Sequence, residues 1–273
     1  MAGIEVQSAL KAAAQTCSQV APGLAARILE QLFLTPTRHA PPAREELWLQ
    51  GARSRRLGGI IPVHEWGEGP PVLLVHGWSG RGSQLGLFAR TLASQGFRAV
   101  AFDAPAHGQA PGRLTGIPEF AATISRLAYE LGPLHGVVAH SMGTAATTVA
   151  ASRGVQLGRM VYVAPPADPL RYLQRAASAF GFSEPVVRRT KRRIEARFDF
   201  SLSEARVLDL APRLEAPLLV VHDQGDRDVP FAEGEAIVAR WQGAELLPTR
   251  DLGHRRILRD AEVAAAAVAF LAS

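Results

Sequence analysis

The sequence predicts an α/β protein built on a doubly wound, mostly parallel sheet. Three observations carry that prediction. From residue 70 onward, short continuous apolar runs such as Val72–Val75 recur, as expected of strands buried on both faces. Segments with helical spacing of apolar residues separate them, so strand and helix alternate to residue 273. Several of the runs also end abruptly in polar, glycine-bearing loops, among them His76-Gly77-Trp78-Ser79-Gly80 and Asp103-Ala104-Pro105-Ala106-His107-Gly108.

Each element follows in order. Ile4 to Phe33 is rich in Ala, Leu and Gln and is broken by Ala21-Pro22-Gly23, which predicts two short helices leading to the turn-forming Thr35-Pro36-Thr37. Pro41 and Pro42 mark a connector. From Glu46 to Trp66 the segments L-W-L-Q, R-S-R-R-L and I-I-P-V-H-E-W alternate partially and are punctuated by Gly51, Gly58 and Gly59, predicting antiparallel strands at one edge of the sheet. Val72–Val75 is the first buried strand, followed by a helix over about Gly82–Gln95 and a second strand at Arg98–Phe102. A helix near Ile117–Leu131 precedes a strand running into Ser141. Arg159–Ala164 and Pro217–Val221 are further buried strands, and Ala232–Trp241 and Asp260–Leu271 are amphipathic helices.

One interval breaks the rhythm. About fifty residues separate Ala164 from Pro217, more than a strand–helix–strand crossover requires. Asp168–Leu210 is therefore expected to be an inserted helical cap over the C-terminal strand ends, where open α/β sheets bind ligands. The other reading is a longer crossover packed away from the site. The resulting organisation is an N-terminal helical extension over residues 1–45, a core formed by 46–167 and 211–273, and a cap at 168–210.

Composition narrows the function classes. Hydrophobic residues make up 47% and charged residues 20%, with no low-complexity block, so one ordered globular unit is expected. The single cysteine, Cys17, cannot form an internal disulfide and reads as a small buried helix residue. Thirty basic against 25 acidic residues leave a charge of +5, concentrated in Arg188, Arg189, Lys191, Arg192, Arg193 and Arg197. That run lacks interleaved aromatic residues and any binding motif, so it reads as a solvated helix face and no nucleic-acid partner is expected. Met1–Ala14 has no basic segment followed by an apolar one, and no run of about 18 apolar residues occurs, so a signal peptide and a membrane span are not expected. A cytoplasmic location follows as an expectation.

The chemistry centres on Val137–Thr144, V-V-A-H-S-M-G-T, which reads as strand, abrupt turn and helix with Ser141 at the tip. The sequence approaches the nucleophile elbow G-x-S-x-G, with Ala139 in place of the first glycine. Such a turn lifts the hydroxyl clear of the sheet and sets the next N–H, that of Met142, at a helix N-terminus. A plain strand-to-helix turn that happens to carry a serine is the alternative. A serine nucleophile needs a base and an orienting carboxylate. Downstream, H-D-Q-G-D-R-D-V-P offers Asp223, Asp226 and Asp228 after a parallel strand, and D-L-G-H supplies His254.

Four pieces together, H-G-W at 76–78, D-A-P-A-H-G at 103–108, A-H-S-M-G at 139–143, and D-x-x-V-P at 226–230 with G-H at 253–254, resemble the α/β-hydrolase fold family, esterase-like and with a helical cap. The resemblance spans about residues 60–273. It implies Ser141 as nucleophile, His254 as general base and then acid, and Asp226, three residues before a Val-Pro pair, as the acid. Asp223 and Asp228 are the competitors, with loop and turn hydrogen bonds as their other role. It also implies an oxyanion hole from the backbone N–H groups of Trp78 and Met142, and loop-organising roles for His76 and His107. His140 and His222, at strand ends, read as packed or hydrogen-bonded residues. Neither a metal nor another cofactor is expected: no close His or Cys set occurs, and G-W-S-G-R-G fits neither a dinucleotide nor a phosphate loop.

The expected function is a serine hydrolase that cleaves an ester or related acyl small molecule through an acyl-enzyme. A serine at the nucleophile position disfavours the aspartate-nucleophile chemistries of the fold, whereas thioester, lactone and peroxyacid chemistry and carbon–carbon bond hydrolysis stay open. The alternative is a hydrolase-like small-ligand binding protein with little or no turnover.

Overall fold

The computed structural model describes residues 2–273. Met1, the first residue of the expected N-terminal extension, lies outside the described residues. In chain order the elements are α1 (Ala2–Val20), α2 (Pro22–Leu34), α3 (Ala43–Leu49), β1 (Arg53–Leu57), β2 (Ile61–Trp66), β3 (Pro71–Val75), α4 (Gly86–Ser94), β4 (Arg98–Phe102), α5 (Ile117–Leu131), β5 (Gly136–His140) and α6 (Met142–Ser152). There follow β6 (Arg159–Val163), α7 (Pro169–Phe180), α8 (Glu184–Phe198), α9 (Val207–Leu210), β7 (Leu218–Asp223), α10 (Phe231–Val238), β8 (Glu245–Thr249), α11 (Gly253–Arg256) and α12 (Ala261–Ala272).

The strands form one eight-stranded sheet in the order β1-β2-β4-β3-β5-β6-β7-β8. Only β2 runs antiparallel to its neighbours. The apolar runs are continuous because alternate side chains enter two different cores. Leu73 and Val75 of β3, Val137 and Ala139 of β5, and Met160 and Tyr162 of β6 pack with α5 and α6 on one face. Val72 and Leu74, Val138, and Val161 and Val163 pack with α4 and α12 on the other. The chain turns to opposite sides after β3 and after β4, so the strand order reverses around β3 and β5. A crevice opens at the C-terminal ends of those two strands, the usual ligand site of such sheets.

A third core lies away from the sheet. Ala25, Ala26 and Leu29 of α2 pack with Leu173 and Ala177 of α7 and with Val186, Val187 and Ile194 of α8. Glu30 of α2, 1% exposed, receives Arg193 Nε at 2.6 Å and Arg197 Nε at 2.7 Å. Two members of the arginine run thus pair with a buried carboxylate, a correction to the expectation of a wholly solvated face. The connector after α2 is fixed to the β4 loop by Arg38, whose guanidinium donates to the carbonyls of Ala106, Ala110 and Gly112.

Two local expectations are corrected. Leu47–Gln50, expected as a strand, lies largely in α3, which starts after Pro42 and carries Glu45 and Glu46 in its first turn, where carboxylates suit a helix N-terminus. The apparent alternation reflects burial of Glu45 and exposure of Leu47, not a pleat. The sequence assigns no strand to Glu245–Thr249, yet β8 pairs there with β7. Pro248 obscures it and is accommodated because β8 is an edge strand. Among the described residues, no helix is long and apolar enough to cross a membrane.

Candidate active site

β5 ends at His140, and the chain reverses into α6 through Ser141, whose backbone takes φ 51°, ψ −128°. A non-glycine residue held in that region is strained, and such strain persists only where its surroundings fix it. Here the Ser141 N–H donates to the Val163 carbonyl at 2.9 Å, and the Ser141 carbonyl accepts from the Thr144 N–H at 2.9 Å. The elbow is crowded on the far side of the serine: a Cβ on Gly143 would lie 2.5 Å from the His76 carbonyl oxygen. Gly77 is equally constrained, since a Cβ there would approach the Ser141 Cβ and His140 Nδ1 to 2.9 Å. Ala139, the departure from the elbow pattern, is paired in register with Val75 and Tyr162 and is fully buried among Ala145, Ala146 and Val149. Its methyl group is therefore part of the core.

Three of the residues singled out by the sequence come together. His254, at the start of α11, places Nε2 3.0 Å from Ser141 Oγ and Nδ1 2.8 Å from Asp226 Oδ2. The Asp226 side chain is fully buried, and its other oxygen accepts the N–H groups of Asp228 at 2.8 Å and Val229 at 2.9 Å. Burial alone would raise the Asp226 carboxyl, but hydrogen bonds from His222 and His254 outweigh it and hold the group well below the usual carboxylate range. An ionised Asp226 sets a proton on His254 Nδ1 and leaves Nε2 free to accept the Ser141 hydroxyl proton.

The competing aspartates stand apart from His254. Asp223 is buried and accepts from the Gly225 N–H, the Thr249 hydroxyl and the Leu252 N–H, joining the ends of β7 and β8 to the loop before His254. Asp228 is exposed, and its backbone carbonyl accepts from Arg175 Nη1 at 2.8 Å.

The remaining histidines have packing roles. His140 donates from Nε2 to the His254 carbonyl at 2.9 Å, fixing the backbone of that residue. Burial, reinforced by the nearby His254, lowers His140 to about 3, so it stays neutral. His76 bridges two loops, donating from Nδ1 to the Gly77 carbonyl and accepting the Ala104 N–H at Nε2, and burial lowers it to about 4. His107 lies edge-on to Trp78 with centroids 5.1 Å apart and donates to the Pro105 carbonyl, while burial and then His76 lower it to about 3. His222 is fully buried with Nε2 3.1 Å from the Val229 carbonyl and 3.5 Å from Asp226 Oδ2. The shorter contact makes Val229 its main partner.

Trp78, after β3, and Met142, at the start of α6, line one cavity together with Ser141, and each carries a backbone N–H. Neither donates to an acceptor among the described residues. Met142 gains from the α6 N-terminus, where negative charge is favoured.

Two cavities meet at Ser141 and share Trp78, Tyr172 and Ala176. The first, about 310 Å³, is almost wholly apolar, walled by Leu32 and Phe33 of α2, Ile194 and Phe198 of α8, and Ile117 and Met142 of the core. The second, about 650 Å³, is of mixed polarity and includes His254, Arg81, Arg175, Arg255 and Arg259. Sequence reasoning missed the part played here by α2 and by these arginines. Arg255 directly follows the recognised Gly-His pair, which was the available signal. Among the described residues, no group of three or more His, Cys, Asp or Glu side chains is placed to hold a metal ion.

Comparison with known proteins places this geometry in a family context. A family model described as the alpha/beta hydrolase fold matches residues 70–182. No curated protein matches the sequence. Among solved structures, an esterase from Exiguobacterium antarcticum is 17% identical with a TM-score of 0.61, covering 82% of this chain and 100% of that one. A meta-cleavage product hydrolase from Pseudomonas fluorescens is 18% identical with a TM-score of 0.62, covering 82% and 98%. A bromoperoxidase from Bacillus anthracis is 16% identical with a TM-score of 0.62, covering 81% and 100%. At such identities the likeness is one of fold, and the neighbours' names span different chemistries. Strand order, family model and structural neighbours agree that the chain has the α/β-hydrolase fold.

Proposed function

We propose that the protein is a serine hydrolase acting on an ester or related acyl substrate. The observation that carries this reading is the hydrogen-bonded series Asp226–His254–Ser141, at 2.8 and 3.0 Å, ending on a serine held in a strained turn. His254 takes the Ser141 proton as the hydroxyl attacks the acyl carbonyl. Asp226 holds the imidazolium that forms, and the N–H groups of Trp78 and Met142 receive the oxyanion. His254 then protonates the leaving group, and a water activated by the same imidazole releases the acid.

The first cavity supports an apolar acyl group, since its walls offer few polar partners and end at Ser141 and Met142. Residues 168–210 act as a cap in this reading: Pro169, Tyr172, Ile194 and Phe198 close that cavity over the sheet. The test is turnover of para-nitrophenyl esters of graded chain length by the wild type and by Ser141→Ala. Loss of turnover by about 10⁴-fold or more in the variant, with its fold intact, is the expected result. Equal activity in the two proteins would sink the proposal.

A further inference from the structure

The two cavities differ in which catalytic group they contain, and that difference assigns their occupants. His254 lines only the second cavity. In a Ser–His pair the proton removed from the serine is handed to the departing atom, so the leaving group must sit on the imidazole side. The acyl chain then takes the apolar cavity and the leaving group takes the other.

That second cavity is positively charged. Arg81 is neutralised there by a bidentate pair with buried Glu45, at 2.6 and 2.9 Å. Three further arginines, Arg175, Arg255 and Arg259, line it together with the exposed Asp228, and among the described residues none of the three is ion-paired with a carboxylate. Arg175 lines the second cavity beside Tyr172. It donates to the Asp228 carbonyl and lies 5.5 Å from the centroid of Tyr172, which lines both. Burial, and then the positive charge of Arg44 with that of Arg81, press the Arg259 guanidinium below its ordinary value against the opposing pull of Glu45. A recess with an excess of one sign of charge attracts the opposite sign, and guanidinium groups match carboxylate and phosphate oxygens in geometry as well as charge.

We propose that the leaving group carries a carboxylate or phosphate, bound by Arg175, Arg255 and Arg259 in the second cavity. This rests on the serine hydrolase reading and names the substrate class within it. The step balances without a further reactant. The Ser141 oxygen bonds to the acyl carbon, and its proton passes to His254. The carbon–oxygen or carbon–sulfur bond breaks, and the His254 proton completes the departing alcohol or thiol, which keeps its anionic group. Water then supplies the second oxygen of the released acid and restores the serine proton.

Two matched substrate pairs test this. One is para-nitrophenyl butyrate and its ring-carboxylated analogue; the other is the butyryl thioester of N-acetylcysteamine and that of coenzyme A. The wild type is expected to favour the anionic member of at least one pair by about fivefold or more in kcat/KM, and the preferred pair identifies carboxylate or phosphate. The preference should fall toward unity in the double variant Arg255→Gln, Arg259→Gln and in about 0.5 M salt. No preference in either pair, or an undiminished one in the double variant, overturns the proposal. A binding measurement separates this from failure of the hydrolase reading: calorimetry of coenzyme A and of pantetheine with Ser141→Ala needs no turnover. Tighter binding of coenzyme A that depends on Arg255 and Arg259, in a protein that hydrolyses nothing, would retain the anion site and remove the hydrolase reading. Equal binding of the two, together with no preference for the ring-carboxylated ester, would overturn the anion site itself.

Discussion

The ends of the sheet strands and the helical cover above them are built by different means. At the strand ends, Ser141, His254 and Asp226 are fixed by backbone: a strained turn, two glycines with no room for a side chain, and N–H groups aimed at a buried carboxylate. In the cover, α2, α7 and α8 are fixed by side chains, through an apolar cluster and the pairing of Glu30 with Arg193 and Arg197. The first arrangement leaves its atoms little room to move, as the proposed acyl transfer requires. The second shapes a cavity, which tolerates change and sets what fits. Perturbing the strand ends should therefore abolish turnover, whereas perturbing the cover should alter stability and substrate range.

The largest expected effect tests the strand ends. Asp226→Asn keeps the shape but removes the charge that sets the His254 tautomer, so kcat on a para-nitrophenyl ester should fall by about 10³–10⁴-fold with little change in thermal midpoint. Gly143→Ala should follow. Its methyl group would lie 2.5 Å from the His76 carbonyl, so both loops must shift, and activity should drop with a stability loss of about 1–3 kcal/mol by denaturant titration. Glu30→Gln probes the cover. Its two arginine partners are more than a third exposed, so water offsets part of the loss, and about 1–3 kcal/mol of destabilisation is expected. In that variant KM for long acyl chains should rise more than kcat on a short ester falls.

Acid sharpens the same contrast. His76, lowered to about 4, and His107 and His140, both lowered to about 3, support the loops at the strand ends and are neutral when folded. Unfolded histidines titrate near about 6.5, so between that pH and about 3 the unfolded chain binds more protons than the folded one. Stability is fully present above the upper value and is lost as pH falls through the window. Thermal midpoints between neutral and mildly acidic pH should show that decline, and a flat profile would contradict the neutral, buried assignment. The smallest effect belongs to Ala139→Gly, expected to leave activity in place and to cost about 1 kcal/mol or less, because a strand glycine gives up packing and adds chain entropy.

The same division explains what could be read from the sequence. The parallel core was legible because a strand buried on both faces must be continuously apolar, as Val72–Val75 and Ala99–Phe102 are. The grouping of Ser141, Asp226 and His254 was legible because Ser141 and Asp226 follow buried strands and His254 stands in a Gly-His pair, in loops whose glycines and Val-Pro pair are recognisable. The cover was less so. Nothing in A-A-R-I-L-E-Q-L announces that Glu30 meets two arginines more than 160 positions away, or that Leu32 and Phe33 wall a cavity at Ser141. Such contacts depend on helix packing over long sequence separation, which leaves no local period. Edge elements escaped for a related reason: β8 is half-exposed with a proline, and the outward Leu47 of α3 imitates strand alternation.

The central claim is that Ser141 is an activated nucleophile. Stoichiometric treatment of the folded protein with a fluorophosphonate probe, followed by peptide mass spectrometry, measures that property without knowledge of the substrate. The account predicts one label per chain, on Ser141, and none after Asp226→Asn within the time that saturates the wild type. A folded wild-type protein that stays unlabelled at Ser141, or is labelled elsewhere, would contradict it.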